Sequence, residues 1–270
     1  MINIKELSNK IKEEGYNEEL AEAKLCQDII LLLLSKSKFN KNITIKGGVV
    51  MRSLSNNARR ATIDIDLDLI RYPLTVNGIK DLFKALNGIE NISIKIIGKI
   101  EDLKHQDYKG KRVHINIKDS FGNNLTSKMD IGVHKYLSLT QSEYCFDIAA
   151  SNEGASLLIN SKEQMFTEKL KSLLRFGYLS TRFKDIYDIY YLSDKLDKSE
   201  LINCFNILIF QDKQMKEHSI DDIINRVEST INNNIYRNNL STSNKNWLEI
   251  DDEIVLKGIV NYLKSLNNSK

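Results

Sequence analysis

One segment constrains this chain more than any other. From Thr62 to Ile70 the sequence alternates, with Ile63, Ile65, Leu67 and Leu69 set against Asp64, Asp66 and Asp68. A period of two marks a β-strand, whose successive side chains point to opposite faces. The alternation predicts a strand with one apolar face and one face carrying three carboxylates, each roughly 7 Å from the next, twice the rise per residue. Like charges in such a row are costly unless water or a cation neutralises them. Oxygen ligands of this kind suit Mg²⁺, which takes one or two carboxylates together with substrate phosphates. The plain alternative is a solvated strand face over an apolar one. A calcium loop of the EF-hand type is excluded, because the positions that need Gly and Glu are Leu69 and Thr75.

Upstream lies Lys46-Gly47-Gly48, between a short strand at Thr44-Ile45 and a brief helix over Val49–Leu54. Glycines at such a junction let a phosphate approach the backbone, and a helix N-terminus presents unpaired N–H groups to an anion. The pair is neither a P-loop nor a dinucleotide fingerprint. A strand, a glycine pair, a short helix and a carboxylate-bearing strand nevertheless form one compact unit. That unit sets an anion cradle beside a metal site, the juxtaposition phosphoryl or nucleotidyl transfer requires.

Around this unit the periodicities predict two helices over residues 5–36 and a helix over 80–86. Strands are predicted near 92–99, 111–118, 125–135 and 143–148. Beyond about residue 160 the pattern becomes helical, with amphipathic segments at 161–176 and 182–194. The Asn- and Ser-rich stretch from Asn232 to Asn246 reads as a loop or a helix interruption. The expected fold is therefore α+β. A mixed sheet with flanking helices occupies residues 1–155, and a helical domain over 156–270 completes the active-site cleft. With 270 residues, 41% of them hydrophobic, the chain can bury a substantial core. The longest apolar run, Ile29 to Leu34, falls short of the roughly 20 residues a bilayer demands. Cys26, Cys145 and Cys204 are too scattered for a metal site, which predicts a reduced, cytoplasmic protein with no membrane partner.

The residues resemble the nucleotidyltransferases of the DNA polymerase β-like superfamily, and more closely the AbiEii/AbiGii toxin family. The matching pieces are Lys46-Gly47-Gly48, Arg60-Ala61-Thr62-Ile63-Asp64-Ile65-Asp66-Leu67 and Lys128-Met129-Asp130-Ile131. Two helical segments follow, Glu163 to Leu170 and Arg182 to Leu192. The resemblance implies Mg²⁺-dependent transfer of NMP from an NTP, carried out by the toxin of a bacterial toxin–antitoxin or abortive phage infection system. It implies a tRNA or other RNA acceptor, and a separately encoded antitoxin that need not form a stable complex. It also implies a site. Asp64, Asp66 and Asp130 are expected to bind two metals, with Asp130 near the attacking hydroxyl. Gly47, Gly48 and Lys46 are expected at the triphosphate, Lys169, Arg182 and Lys184 to neutralise phosphate, and Asp185 and Asp188 to orient Lys169 or Arg182. Asp68 lies one step beyond the family's acidic pair. The sequence departs from the family in having Val49 where Thr or Ser is usual, which removes one hydroxyl contact to phosphate.

Net charge is only +3, from 39 basic and 36 acidic residues, so a polyanionic acceptor has to be read from local clusters. Three such clusters occur. The first runs through Lys162, Lys169, Lys171, Arg175, Arg182 and Lys184. The second is Lys104, Lys109, Lys111 and Arg112, and the third is Arg52, Arg59 and Arg60. All could instead be solvated faces, and a Lys184–Asp188 pair at i,i+4 would be an ordinary helical ion pair. Tyr187, Tyr190 and Tyr191 are candidates for base stacking, though at helical spacing such residues usually sit in a core. Two rival functions stay open: nucleotidylation of a protein hydroxyl, and a catalytically decayed module that binds nucleotide or RNA.

Overall fold

A computed structural model of the chain describes residues 1–103 and 110–267. Lys104 and Lys109 lie outside these residues. The described chain forms two compact units, Met1–Asn160 and Ser161–Lys270. The fold is mixed α+β, as the two periodicities predict.

The first unit runs α1 (Ile4–Glu13), α2 (Glu18–Ser35), β1 (Ile43–Lys46), α3 (Gly47–Ser55), β2 (Ile65–Leu69), α4 (Val76–Leu86) and then β3 (Ser93–Asp102), β4 (Lys111–Lys118), β5 (Asn124–Val133), β6 (Gln141–Ile148) and β7 (Ser151–Asn160). Its strands make one sheet in the order β3-β4-β5-β2-β1-β7-β6. β2 runs parallel to β5, and β1 runs parallel to β7. The other neighbouring pairs are antiparallel. α2 is apolar all round over Ile29–Leu34, and each of those residues is at most 1% exposed. A helix with no polar face belongs inside, and α2 packs on β5, β6 and β7 with α1 against it. Its start is fixed by Asn17, whose side chain accepts from the Leu20 N–H at 2.9 Å.

β7 differs from expectation. The sequence predicts no strand over 150–160, yet Ser151–Asn160 is a strand that lies between β1 and the edge strand β6. The expected boundary at 155/156 falls inside it, and the division between the units lies at Asn160/Ser161.

The second unit comprises α5 (Lys162–Phe176), α6 (Phe183–Ser193), α7 (Lys198–Phe205), α8 (Ile220–Ile231), α9 (Asn234–Thr242) and α10 (Asp252–Asn267). α5 opens on an N-cap: Ser161 accepts from the Gln164 N–H at 3.1 Å, while the Gln164 side chain donates along the helix to Glu168 at 2.8 Å. α6 packs on α5 and α10, and α8 packs on α10. Within the stretch expected to be a loop, α9 is capped by Asn233 and buries Tyr236 and Leu240 at i,i+4. Among the described residues no helix is long and apolar enough to cross a membrane.

Candidate active site

β1 ends at Lys46, and α3 begins at Gly47. Gly47 has φ +70°, a left-handed conformation that costs an L-residue roughly 1–2 kcal/mol. A Cβ there would meet Asp66 Oδ2 at 2.5 Å. A Cβ on Gly48 would meet the Thr62 side chain at 2.7 Å. Both glycines are thus required by close approach: the start of α3 lies directly against Asp66 and Thr62. Val49 is fully buried, so the usual hydroxyl position of the family is turned into the core.

The sheet register places four charged residues in a line. Arg112 on β4 is opposite Asp130 on β5, Asp130 is opposite Asp66 on β2, and Asp66 is opposite Lys46 on β1. Register partners project from the same face, so two carboxylates on strands about 4.8 Å apart are flanked by a basic residue on each side. Both flanking residues contact acids. Arg112 donates from Nε and Nη2 to the two oxygens of Asp130, each at 2.7 Å. Lys46 Nζ lies 2.7 Å from Asp68 Oδ1, and Asp68 is only 4% exposed. The hydrogen bond to Asp130 raises the Arg112 pKa above its ordinary value, against an opposing effect of burial. The guanidinium is therefore permanently charged.

Asp64 immediately precedes β2, outside the regular strand, and Ile63 beside it is 46% exposed. The alternation overstates the strand at this end. Asp64 reaches its position through contacts instead. Its carboxylate lies 3.0 Å from Lys128 Nζ, and Lys128 projects from the same face of β5 as Asp130, two residues away. Behind Asp64, Gln27 on α2 donates from Nε2 to the carbonyl oxygens of Thr62 (2.8 Å) and Ile63 (3.4 Å). Arg52 donates to Gln27 Oε1 at 2.6 Å and to Asp28 Oδ1 at 3.3 Å. Asp28 also accepts from Lys24 Nζ and from the Ala149 N–H. Gln27 and Asp28 are fully buried, and Arg52 is 6% exposed. The network fixes the peptide that leads into Asp64. Arg52 and Arg60, expected on a basic surface, are both buried. The polar pair Gln27-Asp28 immediately before the apolar run Ile29–Leu34 is the sequence signal for this network.

Among the described residues no three His, Cys, Asp or Glu side chains group closely enough to hold a metal by themselves. The three expected carboxylates do not form a self-sufficient cage, because both oxygens of Asp130 lie in the fork of Arg112. The donor chemistry does fit a hard divalent cation that the substrate's phosphates complete. The carboxylates stand on one sheet face beside the glycine turn, and Mg²⁺ is typically bound by one or two carboxylates plus phosphate.

In the helical unit, Lys169 Nζ lies 2.6 Å from Asp185 Oδ1 and 2.8 Å from Asp188 Oδ2. Asp188 is fully buried and also accepts from Trp247 Nε1 at 3.0 Å. Asp185 and Asp188 thus orient Lys169, and Asp188 is tied to the core through Trp247. Arg182 stands at the N-terminal boundary of α6, exposed, with Lys184 in its first turn. Part of the basic face expected along α5 is internal: Lys169 is held by these two carboxylates, and Lys171 is 9% exposed and paired with Asp212 at 2.5 Å, while Lys162 is exposed. Tyr187 is fully buried and donates to Asp252 Oδ1 at 2.8 Å, and Tyr191 packs against Trp247. These tyrosines serve the core and its rim and do not form a stacking platform.

The family model described as "Nucleotidyl transferase AbiEii toxin, Type IV TA system" matches residues 29–253. No curated protein matches the chain. Among solved structures, an antigenic nucleotidyltransferase-like protein from Paracoccidioides brasiliensis is similar at 15% identity and a TM-score of 0.42, over 81% of this chain and 93% of that one. Members of the matched family are nucleotidyltransferases that take an NTP as substrate, and as type IV toxins they have a separate antitoxin partner. The family model spans most of the sequence and includes the glycine turn, all three carboxylates and the Lys169 cluster, so this chain belongs to the AbiEii family of nucleotidyltransferase toxins.

Proposed function

We propose that the chain transfers a nucleoside monophosphate from an NTP to a hydroxyl of RNA, with tRNA as the acceptor, in a Mg²⁺-dependent reaction. The observation that carries this reading is the register pairing of Asp66 with Asp130 beside the Gly47 turn. Asp64 and Asp66 would hold the cations with the triphosphate, Asp130 completing a two-metal arrangement. Bound Mg²⁺ would supply neutralisation of charge developing on the phosphates. Gly47 and Gly48 give the triphosphate access to backbone N–H groups. The acceptor hydroxyl oxygen forms a bond to the α-phosphorus, the bond from that phosphorus to the bridging oxygen breaks, and pyrophosphate leaves. Asp130 takes the hydroxyl proton. In the first unit Lys46 is the proposed phosphate-neutralising cation; in the helical unit the proposed cations are Lys169, steered by Asp185 and Asp188, with Arg182 and Lys184. In the cell, growth arrest through this reaction would serve abortive phage infection in the cytoplasm, with an antitoxin that acts without a stable complex.

The test is incubation with Mg²⁺, total tRNA and each α-labelled NTP in turn, with Asp64→Ala as control. Label on RNA that disappears in the variant supports the reading and selects the nucleotide. Label on protein alone moves the acceptor to a polypeptide. No label from folded, toxic protein counts against transfer to tRNA and favours a binding module.

A further inference from the structure

Arg112 is the strongest contact of the carboxylate row, and its place there follows from the sheet. It stands directly opposite Asp130 across the β4–β5 pairing, which lets the planar guanidinium meet the carboxylate edge to edge. Two hydrogen bonds of 2.7 Å engage both carboxylate oxygens. The Asp130 side chain is 13% exposed and that of Arg112 is 31% exposed, so the pair is shielded from water on the acid's side and open on the base's side. The charges of Asp64 and Glu101 also act favourably on the guanidinium, which lies in the combined field of the acidic residues. A cation that bridges Asp66 and Asp130 would need an oxygen that Arg112 now holds, and would lie close to its positive charge.

We propose that Arg112 is a positioning residue that competes with divalent cations for Asp130, so that the carboxylate pair opens to metal only when a triphosphate adds its own ligands and charge. The inference rests on the nucleotidyl transfer reading. The exchange is balanced: one cationic partner of Asp130 replaces another, and the guanidinium moves toward its solvent-exposed side. Asp64 repeats the pattern less tightly, since its partner Lys128 and its own side chain are 36% and 42% exposed.

The test is a Mn²⁺ titration of the full, EDTA-treated chain without nucleotide, reading free Mn²⁺ by electron paramagnetic resonance. Arg112→Gln is expected to bind Mn²⁺ on the order of tenfold more tightly than the wild type, the scale of one charge-assisted contact. Arg112→Lys, which keeps the charge without the fork, should fall between the two, and it decides the matter if circular dichroism finds the Gln variant unfolded. Adding Asp130→Asn should abolish the gain. Equal affinity in the wild type and the folded Arg112 variants overturns the inference and leaves nucleotidyl transfer standing. No Mn²⁺ binding by the folded Arg112 variants also overturns the inference, and no Mn²⁺ binding by the wild type even with an NTP added overturns both readings.

Discussion

Asp66 and Asp130 stand directly opposite one another on neighbouring parallel strands, with Gly47 pressed so closely on Asp66 that a single added carbon would lie 2.5 Å from its Oδ2. Two like charges so placed cost stability in a protein that does nothing with them. Arg112 and Lys46 at the ends of the row, and Lys128 beside Asp64, offset that cost.

The glycine contacts predict position-specific failures. Gly47→Ala should lower melting stability by about 1–2 kcal/mol through its left-handed φ. It should reduce nucleotidyl transfer on the order of 100-fold, because it displaces Asp66. Gly48→Ala should meet Thr62, and Thr62→Gly should recover part of the loss. A double-mutant cycle read by transfer rate and by melting would measure that coupling.

The buried network behind Asp64 predicts a stability effect with a catalytic consequence. Arg52→Met leaves Asp28 with Lys24 and the Ala149 N–H but strands the buried Gln27 Oε1, and should cost about 1–3 kcal/mol in denaturant unfolding. Gln27→Leu strands the Thr62 carbonyl and should cost about 1–3 kcal/mol. If the network positions Asp64, folded Gln27→Leu should lose turnover at saturating NTP by more than its folded fraction explains.

Lys169 predicts the same logic in the helical unit. Lys169→Met removes an ammonium from Asp188, which is fully buried, and should destabilise by about 3–5 kcal/mol. Asp185→Asn, at the more exposed end of the cluster, should cost less. Comparing the two by chemical denaturation separates the structural share of the cluster from any effect on transfer.

The sequence made the local part of this architecture legible. The alternation at Ile65–Leu69 and the strand–helix junction at Gly47-Gly48 are short-range signals, and the structure realises them. Non-local pairing was not legible. β7 begins with Ser151-Asn152-Glu153-Gly154, a polar run that resembles a link, and only its pairing with β1 and β6 makes it a strand. Arg112 read as one member of a basic stretch because nothing local reveals that the β4–β5 register sets it on Asp130. Arg52, Arg60 and Lys171 failed as surface cations for a related reason. Sequence displays a charge but not the partner that allows its burial.

Acid should loosen the first unit at a defined point. Asp119 is 5% exposed. Burial acts to raise its pKa, but hydrogen bonds from Asn123, Ile4 and Phe121 outweigh it and hold the carboxyl below its ordinary value. A depressed folded pKa contributes stability that is fully present above the unfolded value, near pH 4, and is lost as pH falls through the folded one. The unfolding free energy of the wild type should therefore decline more steeply below about pH 4 than that of Asp119→Asn.

Thiol chemistry should distinguish the cysteines. Burial pushes the thiols of Cys26 and Cys204 up to about 12, while Cys145 is exposed. Iodoacetamide on the native protein at neutral pH should modify Cys145 and spare the other two until denaturant is added, as peptide mass mapping would record.

The most direct test of the central claim is pyrophosphate release from each NTP, in the presence of Mg²⁺ and RNA, by the wild type and by Asp66→Asn and Asp130→Asn variants of matched melting temperature. The account predicts release by the wild type with one nucleotide, and a loss on the order of 1,000-fold or more in each variant. Release that persists undiminished when either carboxylate is replaced would contradict it.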